Sequence, residues 1–198
     1  DYSSATTAVN INLGTGSVTG GGGNDIISNI ETFIGGAGSD TITLGSGGQT
    51  VTVNNVETVI GGAGNDTITL TGTSAAIIGG GGGADTITLD SSGAQTVNYM
   101  AVSQLNDVIN GFASGTDTLS FLSTAFNGNN SGTAAGSFIS GAGTTTASGT
   151  NDYWIFNTTD DKLYYDADGI GGGAATLVAD LNVSITSTDI TFAGTTLF

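Results

Sequence analysis

The chain has 198 residues, with 17 acidic side chains against one basic residue, no His, no Cys, no Pro and 35 Gly, for a net charge of −16. That balance excludes nucleic acid and anionic membrane as partners, because nothing on the chain neutralises phosphate. It also excludes a disulfide framework, a Ser-His-Asp or Cys-His nucleophile and a His-Glu-x-x-His zinc site. No apolar run reaches membrane-spanning length, so no membrane insertion is expected.

In chain order, residues 1 to about 100 read as a repeat array. Gly20–Ser28, Gly35–Thr43, Gly61–Thr69 and Gly80–Thr88 each fit the template G-G-x-G-x-D-x-U-x, where U is a large aliphatic residue. The glycines permit tight turns with positive φ that aim carbonyl oxygens inward. Asp25, Asp40, Asp66 and Asp85 add a charged oxygen to those neutral ones. Ca²⁺ takes six to eight oxygens at ~2.3–2.6 Å, and two turns stacked at ~4.8 Å can supply them. Ile27, Ile42, Ile68 and Ile87 then point into a core between strands. The alternative reading is a set of plain β-turns in which Asp only bonds backbone.

Short strands follow the turns at Thr41–Leu44, Thr67–Leu70 and Thr86–Leu89. Degenerate turns come next, with Gln49 nine residues after Asp40, Ala75 nine after Asp66 and Gln95 ten after Asp85. A half-coil of about nine residues thus alternates a metal-type turn with a metal-free one, and two half-coils make one turn of a parallel β-solenoid. The Asp spacings are 15, 26 and 19, and two matching inserts, Asn29–Ile34 and Asn55–Ile60, account for the irregularity. These inserts add strand length or a third short strand. Spacings of 15 and 19 favour a common edge, while 26 fits one long coil or one and a half.

From about residue 101 the repeats stop. Gln104–Phe121 reads as a closing coil or cap, 127–151 as a long loop, and Tyr153–Asn157, Lys162–Tyr165, Ala175–Leu181 and Thr188–Phe192 as strands. The fold expected is all-β: a calcium-stabilised parallel β-roll or β-solenoid over 1–100, followed by a β-rich C-terminal cap over 101–198. Metal binding is expected to be coupled to folding, since a Gly-rich acidic chain orders at high entropic cost and repels itself.

These nonapeptides resemble the RTX (repeats-in-toxin) calcium-binding β-roll. The opening Asp1-Tyr2-Ser3, Val9–Leu13, Gly20–Asp25 and Ser28–Glu31 is similar to the block that often starts such arrays. Asp152–Phe192, with Lys162–Gly169 and Thr188–Phe192, resembles the C-terminal region of serralysin-like and other type I-secreted proteins. The resemblance implies export by the type I secretion machinery, an extracellular or bacterial cell-surface location, and folding outside the cell where calcium is plentiful. It implies as ligands the motif Asp side chains with the carbonyls of Gly20, Gly22, Gly35, Ala37, Gly61, Ala63, Gly80 and Gly82. The repeats depart from the pattern in not being tandem nonapeptides, which predicts about half the calcium load of a regular β-roll.

Catalysis is not expected. Asp160-Asp161 reads as a turn between strands rather than a paired acid and base. Asp166-Ala167-Asp168-Gly169 lacks the remaining ligands of an EF-hand loop. Tyr153, Trp154, Phe156, Tyr164 and Tyr165 read as cap core before sugar platform, and Lys162 as solvated. The function expected is a secreted calcium-binding structural protein that self-assembles with copies of itself into a surface layer or filament. A C-terminal export and folding module of an exoenzyme, protease or lipase, is the alternative. An adhesin, resting on the aromatics and the Thr-rich faces, is third.

Overall fold

The computed structural model describes residues 1–21, 23–72, 75–126 and 137–195. It is a nearly all-β parallel β-solenoid of about six turns, built from two nine-stranded sheets. One sheet, here sheet A, contains β1 (Val9–Asn12), β2 (Ser17–Gly20), β3 (Gly23–Ile26), β5 (Thr41–Thr43), β7 (Thr58–Ile60), β9 (Ala75–Gly79), β11 (Ala94–Tyr99), β13 (Thr118–Leu122) and β18 (Ile190–Ala193). Sheet B contains β4 (Thr32–Ile34), β6 (Thr50–Asn54), β8 (Thr67–Thr71), β10 (Thr86–Thr88), β12 (Asp107–Asn110), β14 (Phe138–Gly141), β15 (Trp154–Asn157), β16 (Lys162–Tyr165) and β17 (Thr176–Asp180).

Each Thr-aliphatic-Thr triplet makes one rung, because successive side chains in a strand face opposite ways. In β5, β8 and β10 the threonines face out and Ile42, Ile68 and Ile87 are fully buried. The rungs stack in parallel and in register, with Thr50, Thr67 and Thr86 in one row and Val51, Ile68 and Ile87 in the next. Buried between the sheets, Val53, Val59, Leu70, Ile78, Val97, Ile109 and Leu119 continue one core through the array.

Two alternatives left open by the sequence are decided here. The inserts Asn29–Ile34 and Asn55–Ile60 do not lengthen a strand but each add a short one: their last three residues, β4 and β7, are rungs of sheets B and A. The Asp40–Asp66 interval of 26 is therefore three half-coils, and Asp85 follows Asp66 by two. The segment 104–121 is coil and not cap. Its strands β12 and β13 stack in parallel on β10 and β11 as further rungs, and β17 and β18 stack on them in turn.

The ends differ from the middle. At the N-terminal end β1, β2 and β3 form an antiparallel meander, so Asp25 lies on a hairpin strand and not in a solenoid turn. Ile27 is only partly buried and its neighbour Ile26 is 95% exposed. Beyond β17, β16 and β15 pair antiparallel and β14 is parallel to β15. Residues 138–141 of the expected loop are thus a strand, while 127–136 lie outside the described residues.

Aromatic side chains close the core at this end. Phe121 lies 4.3 Å from Trp154, 5.0 Å from Phe126 and 5.1 Å from Tyr99, ring centre to ring centre. Trp154, Phe156 and Tyr165 are buried, so these three are packing groups and not a sugar platform, while Tyr153 and Tyr164 are partly exposed. Asp160-Asp161 lies in the β15–β16 turn, with Asp161 at φ 53°. Lys162 is not free in solvent but sits 3.5 Å from Asp160 and 3.9 Å from Asp180. No helix among the described residues is long and apolar enough to cross a membrane.

Candidate functional site

The residue just before each rung carries the chemistry. On the sheet B edge, Gln49, Asp66, Asp85 and Asp107 occupy consecutive levels of one column. On the sheet A edge the column is Val9, Asp40, Glu57, Ala76, Gln95 and Asp117. The motif aspartates therefore divide: Asp66 and Asp85 share an edge, Asp40 lies on the other, and Asp25 belongs to neither. The residue at the register position assigned to Ala75 is Ala76.

Within a column each acidic side chain accepts a hydrogen bond from the backbone of the level before. On the sheet B edge, Gln49 N–H donates to Asp66 Oδ1 (2.7 Å), Asp66 N–H to Asp85 Oδ1 (2.8 Å) and Asp85 N–H to Asp107 Oδ1 (2.9 Å). On the sheet A edge, Val9 N–H donates to Asp40 Oδ1 (2.8 Å), Asp40 N–H to Glu57 Oε2 (2.7 Å) and Gln95 N–H to Asp117 Oδ1 (2.8 Å). The second oxygen turns back on the residue's own turn. Gly36 N–H reaches Asp40 Oδ2 at 2.8 Å, Gly62 N–H reaches Asp66 Oδ2 at 3.1 Å, and Ala113 N–H reaches Asp117 Oδ2 at 2.8 Å. These carboxylates pair backbone donors that buried turns would otherwise leave unsatisfied.

Close approach is what requires most of the motif glycines. A Cβ on Gly35 or Gly80 would lie 2.3 Å from the Oδ2 of Asp40 or Asp85, because the carboxylate folds over the first glycine of its own turn. A Cβ on Gly61 would meet the Gly80 carbonyl at 1.6 Å. Positive φ, the reason expected from sequence, applies among the glycines of the Asp40, Asp66 and Asp85 motifs only at Gly81 and Gly83.

Of the motif turns, the last, Gly80–Asp85, is the one with a spare carboxylate oxygen. Asp85 Oδ2 is buried without a hydrogen-bond partner, as is Asp107 Oδ2 one level on and the Tyr99 hydroxyl. Among the described residues no hydrogen bond is accepted by the carbonyls of Gly35, Ala37, Gly61, Ala63, Gly80 or Gly82. One buried carboxylate beside unengaged carbonyls is an all-oxygen donor set, which fits calcium. No three acidic side chains converge on a point among the described residues, so calcium held here takes its ligands mainly from backbone. Asp25 fits less well: it is exposed on β3 and accepts a bond from the Tyr2 hydroxyl at 2.8 Å. Gly20 sits within β2, and Gly22 lies outside the described residues.

Burial raises the proton affinity of the sheet B column. Desolvation pushes Asp66 and Asp85 above the usual carboxylate range, and the charge of Asp66 pushes Asp85 further. Asp107 is raised to about 7, first by desolvation and then by the Asp85 charge, against the lowering effect of the bond from Asp85 N–H and of the nearby Tyr99 hydroxyl, which does not reach hydrogen-bond geometry. Asp189 goes the other way. Its burial is outweighed by bonds from Thr186, Gly115 and Ser114, which hold it below the usual range.

Glu57, Asp107, Asp117 and Asp189 were not among the sequence-based site residues. A signal was present: Glu57-Thr58-Val59 and Asp117-Thr118-Leu119 repeat the acid-Thr-aliphatic half of the motif without its opening Gly-Gly pair. Asp166 and Asp168 form a local turn in which Asp168 N–H donates to Asp166 Oδ1 at 3.2 Å and Gly173 N–H to Asp168 Oδ2 at 3.1 Å. No family model and no curated protein matches the chain.

Proposed function

We propose that this chain is a secreted, calcium-binding structural protein of the RTX β-roll type, which folds on extracellular calcium and assembles with copies of itself into a surface layer or filament. The observation that carries the reading is the sheet B column. Asp66, Asp85 and Asp107 are each about 1% exposed on successive levels, and the lone cation, Lys162, is on β16 with Asp160 and Asp180. Stacked buried carboxylates without a counter-charge are costly, and a hard divalent cation beside Asp85, Gly80 and Gly82 supplies what the chain lacks. Asp40 with Gly35 and Ala37, and Asp66 with Gly61 and Ala63, are the corresponding sets in the other turns. Calcium there supplies positive charge and crosslinks adjacent turns; the carboxylates meanwhile keep their backbone bonds.

The test is a calcium titration of the purified chain followed by circular dichroism and light scattering together. Calcium-induced β-structure with growing particles, reversed by chelation and not reproduced by magnesium, is the expected result. A chain equally folded in chelator sinks the calcium part of the reading, and a calcium-folded monomer sinks the assembly part.

A further inference from the structure

Each sheet has nine strands, but the two are offset along the solenoid axis. The order in sheet A is β3-β2-β1-β5-β7-β9-β11-β13-β18, and in sheet B β4-β6-β8-β10-β12-β17-β16-β15-β14. β1 and β4 are level, because they pair with β5 and β6 of the same turn. Sheet A therefore projects beyond sheet B by two strands at the N-terminal end, β2 and β3. At the other end β18 and β16 are level, each one strand past the pair β13 and β17, and sheet B projects by two strands, β15 and β14. Each end is a step, and the two steps are complementary.

Strand sense also agrees. β3 is antiparallel to β2, which is antiparallel to β1, so β3 runs with β1 and hence with β18. β14 is parallel to β15, β15 antiparallel to β16, and β16 antiparallel to β17, so β14 runs with β17 and hence with β4. A second copy translated along the axis by nine strand spacings sets its β3 beside β18 and its β4 beside β14. Both joints are then parallel pairs like those inside the solenoid. Had the two strand counts differed, closing one sheet would have opened the other.

All four edge strands are short, which is one guard against pairing, and on β4 the Tyr2 N–H already bonds the Ile34 carbonyl at 2.9 Å, but none of the four carries Pro or Lys. The chain has no Pro, and its single Lys is on the interior strand β16. β4, β14 and β18 carry no charged residue. All four residues of β3 are exposed, and its one charge, Asp25, is engaged by Tyr2.

We propose that copies of this chain polymerise head to tail by continuing both sheets, with β3 of one copy pairing with β18 of the next and β4 with β14. The proposal rests on the self-assembling reading above and specifies its contact. A heterologous contact of this kind does not close, so it yields a filament. Nine strands per copy at about 4.8 Å each give an axial repeat of about 43 Å.

The experiment uses the full chain in calcium, imaged by electron microscopy, with two end-blocked variants. Ile26→Lys/Thr32→Pro blocks the N-terminal end. Thr32 N–H points away from β6, since Glu31 and Gly35 make the neighbouring bonds to that strand, so the proline removes only an edge donor. Ser140→Lys blocks β14 at the other end. Circular dichroism in calcium checks that each variant folds. The expected result is wild-type filaments with the ~43 Å repeat, each variant monomeric alone, and a 1:1 mixture that stops at a heterodimer. Assemblies with another repeat, or filaments formed by both variants, overturn the joint while leaving the self-assembling reading standing. A wild-type chain that folds in calcium and stays monomeric at every concentration overturns both.

Discussion

Replacing Asp107 by Asn tests the buried column most directly. Asp107 Oδ1 accepts the Asp85 N–H and Oδ2 has no partner. The amide keeps the first acceptor, removes the charge, and can turn its NH2 toward the unpartnered Tyr99 hydroxyl. The folded-state pKa of about 7 lies well above the ordinary carboxylate value of 3.8. A carboxyl raised on folding stabilises the fold fully below its unfolded pKa, and that contribution is lost as pH rises through the folded pKa. A shift of about 3 units at 1.36 kcal/mol each amounts to about 4 kcal/mol, of which about 3 kcal/mol is lost between pH 5 and pH 8. Wild type and Asp107→Asn are compared by urea unfolding at fixed free calcium across that range. Near pH 5 the two should be within about 1 kcal/mol of each other, and near pH 8 the variant should be more stable by about 2–3 kcal/mol. The difference between the chains removes the general self-repulsion of a −16 protein, which acts on both. A variant equally destabilised at both pH values refutes the reasoning, because Asp107 would then be ionised and needed as an anion.

Other substitutions probe the turns. Gly61→Ala places a methyl 1.6 Å from the Gly80 carbonyl and should cost about 3 kcal/mol or more, whereas Gly47→Ala, with nothing within 4 Å, should be neutral or slightly stabilising; urea midpoints separate them. Asp66→Ala leaves the Gln49 and Gly62 N–H groups without their acceptor and should cost about 2–4 kcal/mol, with Asp66→Asn milder because one oxygen remains. If the two Asp66 variants unfold at the same urea concentration, the bonds are not what the side chain contributes. Asp85→Asn should weaken calcium binding, read by isothermal titration calorimetry, by a larger factor than Asp25→Asn; the reverse order would place the metal at the hairpin.

The rungs were legible in the sequence because Thr-Ile-Thr after a Gly turn has a period of two and a fixed offset. The inserts were not, because the rung Thr58-Val59-Ile60 follows Asn55-Val56-Glu57, a turn with no glycine; it is recognised only by Glu57 occupying the acid position. Residues 20–28 misled for the opposite reason. They have the glycines, the acid and an aliphatic at the template positions, with Ile26 in place of Thr after Asp25. Gly20 and Gly21 take φ of 85° and 59°, and the segment becomes a hairpin in which Asp25 pairs with Val18. Ile26 then stands at the outward position that Thr holds in the other repeats, which is why it is exposed. The edge assignment was open in sequence because 26 residues fit either side until the half-coil length is known.

Charge ties the site to the ends. Column carboxylates take one backbone donor from the neighbouring level and, at Asp40, Asp66 and Asp117, a second from their own turn. At the N-terminal end of the sheet A edge Val9 donates to Asp40 and offers no side-chain acceptor. At the far end Asp189 receives the Gly115 N–H and closes the sheet A edge with a carboxylate of lowered pKa. The interior of the solenoid is thus acidic on both edges, while three of its four terminal strands are uncharged. On the proposed reading the two properties act in sequence. Without calcium the acids hold the chain open and no edge exists. With calcium the turns stack, the last rungs form, and the two complementary steps appear together, so that assembly can begin only after folding is complete.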